Sequence, residues 1–134
     1  MEFPKICIFI FLTIISFSIE RYYITCYNNT LYTIGLSFIH HIFSVYLYFG
    51  TFIFRFYLFN ILIGLATIFG WFLFNNRCFL TIYYNKLCGI PEKEQFHDIV
   101  NYTNKFIKIY NLHYYILLLI FIYNFYHLCV AKKV

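Results

Sequence analysis

Charge is what this chain has least of. Only 11% of its 134 residues are Asp, Glu, Lys or Arg, while 63% are hydrophobic; a soluble domain carries about 25% charged residues. A water-soluble fold of this size leaves a large fraction of itself exposed, so this much apolar surface could not be hidden from water. Lipid as the surrounding solvent removes the difficulty. A basic run is lacking too. The ten Lys and Arg, in a chain of net charge +5, are scattered, whereas a nucleic-acid surface needs them clustered. Missing as well are a nucleotide-binding loop, a Cys-x-x-Cys pair, a metal-ligand cluster and a nucleophile–base set. No catalytic residue, metal or cofactor is therefore expected.

What remains is one domain's length of mostly Phe, Tyr, Ile and Leu, organised by a few polar residues. Heavy use of Phe, Tyr, Ile, Asn and Lys together points to AT-rich codons, as in a large DNA virus or a protist. That reflects mutation bias, and it leaves function open.

Residues 1–30 form a first unit. Ile6 to Ile19 is uncharged for 14 residues, about 21 Å of helix, short for a span and typical of a signal-peptide core. Ser16-Phe17-Ser18 supplies small residues for cleavage after Ser18. A cleaved signal and a tilted first span fit equally, and both put the next residues outside. The polar stretch from Glu20 to Thr30 holds Cys26 and the sequon at Asn28. A second sequon begins at Asn101, and both are candidate glycosylation sites.

Residues 31–134 form the membrane domain. Leu31 to Phe54 has 24 residues without a formal charge, enough to cross about 30 Å of hydrocarbon. Its polar residues Thr33, Ser37, His40, Ser44, Tyr48 and Thr51 recur at steps of three and four, one stripe of a helix, with His41 at its edge. An unpaired polar group facing lipid costs several kcal/mol, so the stripe is expected to face other helices. Arg55 breaks the run and makes a tight hairpin with a second span at 56–74. That span has its own stripe of Asn60, Gly64, Thr67, Trp71 and Asn75. The segment 75–108 is a loop. Pro91, followed by Glu92 and Glu94, predicts the start of an amphipathic helix there. Phe96, Ile99, Val100, Thr103 and Ile107 would form its apolar face, and Glu94, His97, Asp98 and Asn101 its solvated one. The last span covers 109–131, and Lys132-Lys133 forms a basic anchor.

The expected fold is thus all-α: an integral membrane bundle of three to four spans with one amphipathic interfacial helix. A signal-like start puts the N-terminus in the cytoplasm and the loop 75–108 in the lumen or outside. Counting Lys and Arg opposes this, with four inside and six outside; the positive-inside rule prefers the reverse.

Beyond Leu36 three motifs carry a resemblance. The first is His40-His41-Ile42-Phe43-Ser44-Val45-Tyr46 with Gly50 and Arg55. The second is Gly70-Trp71 followed by Cys78-Phe79-Leu80-Thr81, with Asn85 beyond. The third is Phe96-His97-Asp98. In these the chain resembles a family of small bacterial multispan membrane proteins of unknown function, in which a proline stands where Phe79 stands here. The resemblance implies the membrane fold and brings no activity with it.

Candidate residues follow from cost. His40, an ionisable group deep in a span, is a functional candidate by default; the alternative is a neutral imidazole bonded to Ser37, Ser44 or a facing helix. With Ser44, Asn60, Thr67 and Asn124 it makes the candidate polar core of the bundle. His113 and His127 lie near opposite ends of the last span, each about seven residues, or roughly 10 Å, from the depth of His40. That separation disfavours a shared haem. Cys78 and Cys88 are candidates for a disulfide or a redox pair, with Cys26 as a third thiol. Glu94 and His97 have a di-iron spacing, but those sites need the motif on two helices. Cys7 and Cys129 suit acylation or lie in lipid as thiols. Three functions follow: a non-enzymatic scaffold, assembly or partner-binding component; a membrane thiol–disulfide oxidoreductase using Cys78 and Cys88; or a small transporter or proton pathway lined by His40. The partners expected are the bilayer and a membrane protein or a second copy, with no nucleic acid.

Overall fold

A computed structural model describes residues 2–131. Among them are six helices and no strand: α1 (Phe3–Tyr23), α2 (Leu31–Phe54), α3 (Tyr57–Leu73), α4 (Phe79–Cys88), α5 (Ile99–Ile107) and α6 (Leu112–Cys129). Lys132-Lys133 lies outside the described residues. Three helices, α1, α2 and α6, are long and apolar enough to cross a membrane. The expected span at 56–74 appears as α3, 17 residues or about 26 Å of helix, at the lower edge of what a bilayer needs.

The helix α2 is the hub, packing against α1, α3, α4 and α6. Its start is fixed by a capping box: the Thr30 hydroxyl accepts from the Thr33 amide, and the Thr33 hydroxyl accepts from the Thr30 amide. Its end is set at Arg55, which takes a left-handed conformation and closes the turn into α3. The whole polar stripe Thr33, Ser37, His40, Ser44, Tyr48 and Thr51 is buried, and so is His41. Outward, by contrast, α1, α3 and α6 present Phe11, Leu62, Phe69, Phe72, Leu119 and Phe125 uncovered. So much bare apolar area marks an interaction or lipid surface.

The N-terminal unit and the loop depart from expectation. The apolar run 6–19 is the middle of a longer helix that continues through Ser18 to Tyr23. Glu20, expected in a polar linker, is its last buried side chain. Within 75–108 there are two helices where one was expected. Gly89, in a left-handed conformation, stops α4, but no helix restarts at Pro91. Two contacts hold residues 90–98 out of helical geometry. The buried Asn85 amide donates to the Glu94 carbonyl at 3.0 Å, and the Phe96 ring is drawn onto His40 with centroids 3.6 Å apart. Helix α5 begins only where Asp98 caps it, its Oδ1 accepting from the Asn101 amide at 2.7 Å. Of the expected apolar face only Val100 is buried, and Ile107 at its far end is exposed.

Candidate functional site

Two polar centres lie inside the bundle, one on each side of α2. The first is sealed. Thr13, Ser16 and Glu20 recur along one face of α1 and are all buried. The Glu20 carboxylate accepts from the Ser37 hydroxyl and lies 2.8 Å from Nε2 of His41. Nδ1 of His41 lies 2.9 Å from the Ser16 hydroxyl. Both ring nitrogens are therefore satisfied, and no side chain in this chain of four is left without a partner. Helix α1 is thereby tied to α2 by polar bonds as well as by packing such as Phe17 on Phe38.

The second centre is a cavity of about 430 Å³ bordered by α2, α3, the start of α6, and the two segments 76–81 and 95–104. From α2 come His40, Phe43, Ser44, Leu47 and Tyr48. Helix α3 supplies Ile63, Thr67 and Trp71, and the far wall carries Cys78, Thr81, Asp98 and His113. Asp98 is buried and accepts from the Ser44 hydroxyl at 2.6 Å through the oxygen that does not cap α5. Burial pushes its carboxyl above the usual range, while the bonds from Ser44 and the Asn101 amide pull the other way. Two other lining residues hold buried polar atoms without a partner, Nδ1 of His40 and the Thr81 hydroxyl. Trp71 forms one wall, edge-on to His113 at 4.9 Å.

The expected polar core is thus divided. His40, Ser44 and Thr67 border the cavity. Asn60 is buried but donates to its own helix at the Phe56 carbonyl. Asn124 instead accepts from Thr51 at 2.7 Å, joining α2 to α6. His127 stacks on Tyr57. Asp98, expected on a solvated face, is internal. Nδ2 of Asn101, the atom a glycan would take, donates to the Phe96 carbonyl at 2.7 Å, whereas Asn28 is exposed. Glu94 and His97 form a pair 3.0 Å apart.

The cysteine pairing needs correction. Cys88 is bonded to Cys26, and Cys78 is free. The reason is the length of α4. Cys78 is its N-cap and Cys88 its last residue, which puts them about 15 Å apart along the axis, beyond disulfide reach. At the other end the Tyr27 amide donates to the Cys88 carbonyl at 3.0 Å, bringing Cys26 alongside. Burial pushes the Cys78 thiol up, away from the thiolate a redox or nucleophilic role would use.

Comparison with family models, with curated proteins and with solved structures finds no match. Some residues of each of the three sequence motifs meet at the cavity. His40, Trp71, Cys78, Thr81, Phe96 and Asp98 all border the cavity, although they are spread over three motifs.

Proposed function

We propose that this is a four-span integral membrane protein, α1, α2, α3 and α6 crossing the bilayer, that acts by binding: a scaffold, assembly or partner-binding component. One contrast carries the reading. The bundle's polar side chains are almost all paired inside, through Glu20–His41, Ser44–Asp98 and Thr51–Asn124, while the outer faces are apolar and bare. In lipid that is the stable arrangement; in water it would aggregate. The Cys26–Cys88 bond supports an outward loop and a cytoplasmic N-terminus, because such bonds persist in oxidising compartments. It joins the segment after α1 to the end of α4. Polar partners on both sides of Ser18, at Ser16 and Glu20, support a first span that is kept.

The protein should stay in vesicles washed with alkaline carbonate. In separate, unwashed and intact vesicles the half-buried Cys78 should react, slowly, with an impermeant maleimide added from the lumenal or outer side, and a membrane protein or second copy should co-purify in mild detergent. Release by carbonate would refute the membrane reading, and labelling of Cys78 from the cytoplasmic side would refute the orientation.

A second reading, a proton pathway, draws on one observation: His40, Ser44, Asp98 and His113 border a single cavity. It requires proton flux in liposomes that His40→Ala lowers at least tenfold. Equal flux from the variant, or none from the parent, removes it.

A further inference from the structure

The charge around the cavity is unbalanced. Among the described residues, Asp98 is the only Asp, Glu, Lys or Arg that lines it. The carboxyl is buried, with one bond from Ser44 to one oxygen and one from the Asn101 amide to the other. A carboxylate has about four acceptor positions, so it retains capacity for a further donor. Among the described residues, no lysine or arginine lies within salt-bridge distance of it. The basic side chains whose charge acts on it are two histidines, His41 on α2 and His113 on α6. Both have other neighbours: Ser16 and Glu20 bracket His41, and Trp71 and Tyr114 flank the His113 ring. A buried carboxylate without a counter-ion is costly.

The rest of the wall suits the other half of an amphiphile. Phe43, Leu47, Ile63 and Trp71 give an apolar body somewhere to lie. Aromatic faces attract a cation within about 6 Å, tryptophan most strongly. The volume, about 430 Å³, falls in the range of small-molecule sites, roughly 300–1,000 Å³.

We propose that this cavity binds a small amphipathic organic cation, an alkyl- or arylalkyl-ammonium. Its head rests on the Asp98 carboxylate and its apolar body lies between α2 and α3. The proposal goes beyond the partner-binding reading and does not depend on it. A neutral lipid tail is the rival occupant, and charge separates the two.

Trp71 is the chain's single tryptophan and stands in the wall, so its fluorescence reports occupancy. The full chain in a nonionic maltoside detergent is titrated with 4-phenylbutylamine and with 4-phenylbutanol, which has the same body without the charge. The amine should change Trp71 emission saturably, and the alcohol should bind at least tenfold more weakly. Asp98→Asn should cost the amine at least tenfold and leave the alcohol unchanged, since asparagine still caps a helix. Ala66→Phe, which adds a ring at the cavity border on α3 without touching Asp98, should block both ligands. If Asp98→Asn fails to fold, the amine-to-alcohol ratio and Ala66→Phe decide alone. Equal affinity of the parent for the two probes, an unchanged amine response in either variant, or no saturable response in the parent overturns the proposal.

Discussion

Replacing Cys26 or Cys88 by serine is expected to cost roughly 4 kcal/mol of stability. The bond closes a loop across a sequence separation of 62 residues, and the chain-entropy estimate for a loop of that length is about 4 kcal/mol. Helices held in lipid already restrict the unfolded chain, which makes this an upper figure. Because both serine variants remove the same bond, they and the double variant should unfold at one temperature, as should the parent under strong reductant. Cys78→Ser should unfold with the oxidised parent. Thermal unfolding in detergent with and without reductant makes the comparison. Insensitivity of the parent to reductant, or an equal loss in Cys78→Ser, would overturn the assigned pairing.

Glu20→Leu is expected to destabilise the protein by about 3 kcal/mol, because breaking a buried pair leaves its partner uncompensated. Two groups lose their acceptor at once, the Ser37 hydroxyl and the His41 ring. For a chain of this length the loss corresponds to a fall of roughly 10 °C in Tm. His41→Leu should cost about as much, stranding Glu20 and Ser16. The double variant is the informative one. Removing both partners together can be nearly neutral, so Glu20→Leu/His41→Leu should lose much less than the sum of the single losses. Additive losses would mean that Glu20 and His41 act separately, contrary to the geometry.

How far the fold could be read without coordinates differs from helix to helix. The stripe on α2 was legible because six polar residues at steps of three and four admit one helical face, and lipid punishes any other placement. Glu20 was hidden by its position. A lone acid after an apolar run looks like the end of a span, and Ser16-Phe17-Ser18 looks like a cleavage site. The spacing Thr13, Ser16, Glu20 is itself helical and was the signal to follow. Asp98 was misplaced because helical periodicity was carried back to Pro91. Asp98-Ile99-Val100-Asn101 is a capping pattern in its own right, an acid three residues ahead of the amide it receives. Neither the Cys26–Cys88 bond nor the packing of Phe96 on His40 leaves a trace in spacing, since each joins segments far apart in the chain. The cavity is of the same kind, assembled from five stretches that no local pattern connects.

The turn at Arg55 has a consequence for biogenesis. Only Arg55 and Phe56 separate α2 from α3, so on the four-span reading proposed above neither helix leaves the translocation channel far ahead of the other. Alone, α2 carries two histidines and a row of hydroxyls that lipid would resist, and α3 is barely long enough to stay. On the four-span reading, partitioning as a joined pair lets the greasier, shorter rod carry the longer one in, and the hydrophilic edge of α2 closes against α1, the Asp98 segment and α6.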